Sequence, residues 1–226
     1  MRVVRAGVVF LAAVSAGLPA AAFAACPPAG AEVSVGEVAA HVEREGRRYV
    51  FVGERHAVGP VKRFAVDLAH ELADRGHDVG LYVEGFRTDC PPSDGGCETL
   101  AGLFNAEAFR RLLAESQVPV HPIDPPEKDR RAARMATAIA GGSETIRVVL
   151  VGNSHVAHAG DPDADVFVYG GALRYPDPGD LAEAFPREES LTIALDTAQD
   201  TAMPYSLHAG GCGADYTLVA ANTLAY

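Results

Sequence analysis

The sequence predicts a single α/β domain: a mainly parallel central sheet flanked by helices on both faces, with extra strands in the C-terminal half. Three observations predict it. Short apolar runs alternate with longer stretches whose apolar residues recur at helical spacing. The runs are apolar at successive positions rather than at every second one, the pattern of strands covered on both faces. The chain has 226 residues, 48% of them hydrophobic, with no low-complexity tract or linker, so one core accounts for it.

The chain opens with a leader. Arg2 and Arg5 precede the apolar segment Ala6–Leu18, Pro19 interrupts it, and Ala22–Ala24 is a small-x-small cleavage site. That is the pattern of a secretory signal peptide over residues 1–24, leaving 25–226 as the domain. The expected location is the periplasm or the exterior. Phe23–Cys26 also half-resembles a lipoprotein signal, so membrane attachment is expected only if Cys26 is lipidated. No later stretch is long and apolar enough to span a bilayer.

The first strand is Arg48–Gly53, a short β-rich run. A helix follows from Pro60, which suits a first turn, to Gly76, which suits an end; Val61, Phe64, Ala65, Leu68 and Leu72 mark its apolar face. Val79–Gly85 is the second strand. Cys90 and Cys97 then flank a turn-rich stretch and in an exported chain read as a disulfide, leaving Cys26 to pair with Cys212. The alternative, thiolate ligation of a metal, is disfavoured by the lack of a CxxC pair. A helix over about Leu100 to Glu115, a strand over Val118–Asp124, a helix from Pro126 to Gly141 and a strand over Ile146–Gly152 complete the alternating part. Beyond it, "DVFVYG", "SLTIALD" and "YTLVAAN" read as further strands, with a short helical stretch near Pro178 to Phe185.

Charge narrows the partners. The formal net charge is −11, and loss of Arg2 and Arg5 with the leader takes it to −13. Such a chain repels phosphate backbones, so nucleic acid is not an expected partner. Only two lysines are present, Lys62 and Lys128. A small-molecule or peptide substrate is the expectation.

In parallel sheets ligands sit beyond the carboxyl ends of the strands. Each of the first four strands ends in polar or ionisable residues: Glu54, Arg55 and His56; Glu84; Asp124; then Asn153, Ser154, His155 and, further on, His158. Glu84 stands out, because an acid on an apolar strand is costly without a partner. Strands one and four share a plan, strand-Gly-x-x-His, in "VFVGERH" and "VVLVGNSH". If they are neighbours, His56 and His155 face one another. Glycine is expected there to let the backbone turn tightly. Two imidazoles among carboxylates suit either a divalent metal (zinc, manganese or cobalt) on His56, Glu84 and His155, with His158 or Asp124 as further ligands, or general acid–base chemistry. Each residue also has a plainer role: Glu54 as a turn cap, Asp124 as a helix cap, the histidines as loop residues with one hydrogen bond. His41, His70, His77 and His208 have no such context and read as structural.

With "GERH" at Gly53–His56, Glu84 at a strand end, "GNSH" at Gly152–His155, and Asp124 before a helix bearing Arg131 and Arg134, the chain resembles the erythromycin-esterase/ChaN-like group and its TraB and TIKI relatives. The resemblance covers about Tyr49 to His158. It implies Glu54, His56, Glu84 and His155 as the site. It implies either hydrolysis of an ester or peptide bond, with or without a metal, or haem or metal binding without turnover. Haem ligation in that group uses a tyrosine; Tyr169, Tyr175 and Tyr205 lie downstream, none in a marking motif. The chain lacks room for the helical insertions of the larger esterases. A further alternative treats "GNSHV" as a degenerate nucleophile elbow, with Ser154 attacking and Asp196 and His208 completing a triad; its second glycine and long following helix are missing.

Overall fold

The structure is a computed structural model and describes residues 30–91, 96–99, 105–126, 130–156, 167–169, 172–174, 181–198, 205–210 and 214–221. The expected leader, Cys26, His158, Tyr175 and Cys212 therefore lie outside the described residues.

Helix α1 (Val35–Glu45) opens the described chain, and the sequence reading above does not contain it. Its signals are local: Ser34 and Glu37 form a capping box, and Gly46 closes the helix at φ 64°. Strand β1 (Tyr49–Glu54) follows, then α2 (Gly59–Asp74) with Pro60 in its first turn. Next come β2 (Val79–Arg87), α3 (Ala106–Glu115), β3 (Val120–Asp124), α4 (Arg131–Ala140) and β4 (Ile146–Gly152). Helix α3 starts behind an Asn105 cap, later than expected. Helix α4 starts at Arg131 rather than near Pro126. A 3-10 turn, Asn153–His155, ends β4. Strands β5 (Phe167–Tyr169) and β6 (Ala172–Arg174) form a separate antiparallel pair. A second 3-10 turn (Leu181–Ala184) stands where a short helix was expected, before β7 (Ser190–Ala198), β8 (Tyr205–Ala209) and β9 (Tyr216–Ala221). Neither β6 nor β8 is in the sequence reading.

Seven strands form one sheet in the order β3-β2-β4-β1-β7-β9-β8. All neighbouring pairs are parallel except β8 with β9. The predicted α/β domain is thus the observed one. Side chains alternate along the strands into two cores. Val50 and Val52 of β1, Leu81 and Val83 of β2, and Val148 and Leu150 of β4 pack with α1, α2 and α3. Tyr49, Phe51, Tyr82, Val149 and Val151 pack on the other face with Met135 and Ile139 of α4 and with Leu181 and Phe185. Both faces are covered, which is why the strand runs carry no polar alternation.

The path of the chain explains the split. From β1 to β2 to β3 it moves one way across the sheet, with α2 and α3 on one face. From β3 it returns to insert β4 between β2 and β1, with α4 on the other face. Crossover connections have a fixed hand, so reversing direction switches faces. Val156, just past β4, packs on the α4 face, while α2 and α3 follow β1 and β2 on the other face. In open α/β sheets ligands bind where adjacent strands exit to opposite faces, and here that place is the carboxyl ends of β1, β4 and β2. Among the described residues no helix is long and apolar enough to cross a membrane.

Candidate active site

Strands β1 and β4 are neighbours, with Gly53 paired to Val151 and Glu54 to Gly152. The two Gly-x-x-His motifs therefore leave the sheet side by side. Across β3, β2, β4 and β1 the carboxyl ends carry Asp124, Glu84, Gly152–His155 and Glu54–His56 in that spatial order. The centre of the group is marked by Gly152. A Cβ placed on it would lie 3.4 Å from Glu84 Oε2, 3.8 Å from His155 Cδ2 and 3.9 Å from His56 Cε1. The four residues expected as the site do converge on this edge: three line the space above Gly152, and Glu54 stands behind His56.

Glu54 and Glu84 point to opposite faces of the sheet, and each meets a cation there. Glu54 Oε1 accepts from His56 Nδ1 at 2.8 Å, and Oε2 pairs with Lys62 of α2. Lys62 also donates to the His56 carbonyl at 2.9 Å. Burial would raise the Glu54 pKa, but the Lys62 charge and the His56 hydrogen bond outweigh it and hold the carboxyl below its ordinary value. For His56, burial would lower the pKa; the hydrogen bond that His56 donates to Glu54 and the charges of Glu54 and Glu84 prevail and raise it. The imidazole is fixed through Nδ1, while 21% of its side chain remains open to solvent.

On the α4 face, Arg131 bridges Glu84 Oε1 at 2.5 Å and Asp124 Oδ1. Glu84 Oε2 accepts from the Gly152 backbone N–H at 2.5 Å, tying β2 to the end of β4. Asp124, fully buried, does not cap a helix. Its Oδ2 accepts from the Gly85 N–H at 2.8 Å and from the Thr99 hydroxyl, so it anchors Arg131 beneath Glu84. Thr99 is held by the Cys90–Cys97 disulfide, whose Cα atoms are 5.7 Å apart: the Cys97 carbonyl accepts from Arg87 N and the Thr99 N–H reaches the Gly85 carbonyl.

The tight turn expected at the paired glycines is not what either of them supplies. Neither has a positive φ. Gly53 lies under the Asn153 side chain, and a Cβ there would sit 2.2 Å from Asn153 Oδ1. Close approach, not a tight turn, excludes a side chain.

Several expectations are not met by the arrangement. His208 bonds to Ser206 on β8 at 3.1 Å, four strands from β4 and so about 19 Å across the sheet, which leaves Ser154 without that base. Tyr205, also on β8, packs edge-on to Phe64 of α2, three strands from β1. The side chains of Ser154, Asp196 and Tyr169 lie outside what the structure describes. Among the described residues no three His, Cys, Asp or Glu side chains are disposed to hold a metal ion. The donor chemistry gives a reason. Both oxygens of Glu54 and both of Glu84 are engaged, and Lys62 and Arg131 already neutralise them. A divalent ion needs free anionic donors, so these residues do not fit one as they stand.

Sequence reasoning missed Lys62 and Thr99 as parts of the site, and placed Asn153 at this edge without its hydrogen bonds to Leu195. Lys62 had a signal: it falls on the buried stripe of α2 with Ala65, Ala69 and Leu72. A lysine on such a stripe needs a buried anion.

No family model matches the chain, and no curated protein matches it by sequence. Among solved structures it is similar to the type III effector HopBA1, at 13% identity and a TM-score of 0.49, over 86% of this chain and 97% of that one. It is also similar to RRSP, a MARTX toxin effector domain from Vibrio vulnificus CMCP6, at 16% identity and a TM-score of 0.40, over 72% of this chain and 36% of that one. A bacterial protein toxin structure matches at 14% identity and a TM-score of 0.44, over 82% of this chain and 38% of that one.

Proposed function

We propose that the protein is an exported hydrolase of ester or peptide bonds that uses the Glu54–His56 pair as its base. The observation that carries this reading is the convergence of His56, His155 and Glu84 above Gly152, with His56 held through Nδ1 by a buried carboxylate. That bond leaves Nε2 as the working nitrogen, the logic of a carboxylate-oriented histidine. Neutral His56 takes a proton from a water molecule as its oxygen attacks the carbonyl carbon. The imidazolium that forms is stabilised by Glu54 and Glu84. It then gives the proton to the departing alkoxide or amine as the C–O or C–N bond breaks, which leaves a carboxylic acid and an alcohol or amine. His155, on the opposite side of the gap, is placed to donate to the carbonyl oxygen. The engagement of the Glu54 and Glu84 oxygens by Lys62, His56, Arg131 and Gly152 favours this metal-free form over one that uses a divalent ion. The leader pattern and the Cys90–Cys97 bond support export to an oxidising compartment.

The test is a screen of chromogenic esters and peptides with the wild type, His56→Ala, His155→Ala and Glu54→Gln, alongside elemental analysis and an absorption spectrum. Turnover that persists after chelation and falls at least about 100-fold in each variant is expected. A stoichiometric metal lost in His56→Ala/His155→Ala, or bound haem, would replace this reading with a metal-dependent or binding role.

A further inference from the structure

We propose that Lys62 is a positioning residue of this site: a built-in cation that holds Glu54 and the Glu54–His56 turn in working geometry in place of a metal ion. The proposal rests on the hydrolase reading for its consequence, but not for its test.

The geometry is specific. Lys62 is fully buried. Its ammonium group has three N–H bonds, and three oxygens surround it: the Glu54 carboxylate, the His56 carbonyl at 2.9 Å and the Val58 carbonyl at 3.5 Å. The Phe109 ring of α3 lies on another side, with its centroid 5.4 Å from Nζ. One side chain therefore ties the last residue of β1, the loop that carries His56, and the residue before α2. Burying a charge pair is costly, and apolar side chains in place of both Lys62 and Glu54 would pack here without that cost, whereas Glu54 once buried needs its cation. The fold alone gives no reason for the pair.

Charge balance does. With neutral His56, the buried Glu54 carboxylate has Lys62 as its counter-charge. Without Lys62, the carboxylate keeps its charge only by holding His56 as imidazolium, or else takes a proton itself. In neither state is His56 a base oriented by an anion. The other charged or titratable groups around this pair are Arg55, Glu84 with Arg131 behind it, and His155. Arg131 does not take the place of Lys62, since it is bound to Glu84 and Asp124 on the opposite face of the sheet.

The experiment compares Lys62→Met, Lys62→Gln and Lys62→Arg in the full mature chain. The first readout needs no substrate. The His56 Nδ1–H proton, bonded to Glu54, gives a low-field NMR resonance that is identified by its absence in His56→Ala. In Lys62→Met and Lys62→Gln it should move further downfield, where His56 is held as imidazolium, or be lost, where Glu54 takes the proton; in Lys62→Arg it should be retained in place. The second readout is kinetic: kcat falls about 100-fold in the two neutral variants with KM nearly unchanged, and Lys62→Arg recovers most of it. Lys62→Gln, which keeps a donor for the carbonyls, serves if Lys62→Met does not fold. An unchanged Nδ1–H resonance in a folded neutral variant overturns the proposal, as does a loss in KM alone. If the wild type shows no turnover, the hydrolase reading fails while the resonance still decides the role of Lys62.

Discussion

The carboxamide of Asn153 and the backbone of Leu195 exchange two hydrogen bonds across the end of β1: Nδ2 donates to the Leu195 carbonyl at 3.2 Å, and the Leu195 N–H donates to Oδ1 at 2.7 Å. The side chain extends the ladder from β4 to β7 over Gly53, whose missing Cβ leaves the path open. Gly53→Ala should therefore cost about 2 kcal/mol of overpacking. Asn153→Ala, which leaves both Leu195 groups unpaired in a buried position, should cost about 2 kcal/mol. Urea denaturation checks both, and a double variant should cost less than the sum, because either change breaks the same crossing.

Gly152→Ala tests the site rather than the fold. Its Cβ would meet Glu84, His155 and His56 at ordinary contact distance, between 3.4 and 3.9 Å, without a clash. Stability should change by less than about 0.5 kcal/mol. Activity should fall steeply, because the methyl group occupies the space where the reacting groups would meet. Full activity in this variant would place the reaction elsewhere.

The raised pKa of His56 has a sign in two measurements. As a base it works when neutral, so kcat/KM should rise with pH through a value above the ordinary histidine range. Glu54→Gln should move that step to lower pH, since the charge that holds the proton is gone. In stability the direction is opposite. The contribution of protonated His56 is fully present below its unfolded pKa of about 6.5 and is lost as pH rises through the higher folded value. Glu54, with its pKa lowered, contributes above its unfolded value of about 4.3, and this contribution is lost as pH falls through the folded one. Chemical denaturation across pH 2 to 9 in wild type and His56→Gln separates the two.

Reducing the Cys90–Cys97 bond should lower stability by about 2.5 kcal/mol on the chain-entropy view. It should also lower activity, because Cys97 precedes Thr99, whose hydroxyl steadies Asp124 and through it Arg131 and Glu84. Thr99→Val should reproduce the activity loss with the disulfide intact. Melting curves and rates with and without a thiol reductant give the comparison.

Arg131→Met leaves Glu84 and Asp124 facing each other without a cation. A loss of about 3 kcal/mol is expected, near the low end for a broken buried pair because 30% of the Arg131 side chain is exposed. Arg131→Met/Asp124→Asn should recover part of it, as measured by denaturation.

The sequence by itself determined the sheet and the edge at which its ionisable strand-end residues gather. Stretches such as Val50–Gly53 of β1 and Val148–Gly152 of β4 are apolar at successive positions, and only burial on both faces makes that pattern stable. Once the sheet is parallel, its carboxyl ends are the place to read, and Glu54, His56, Glu84 and His155 follow. Helix α1 was legible too, through Ser34, Glu37 and Gly46, because caps are local. Only the tertiary structure decided that β4 lies between β2 and β1, since strand order rests on contacts between segments far apart in the chain. It alone matched each buried acid to its cation, Glu54 to Lys62 and Glu84 to Arg131, because side chains from opposite layers meet only after the helices dock on the two faces. The sequence thus supplied the charges, and packing chose their partners.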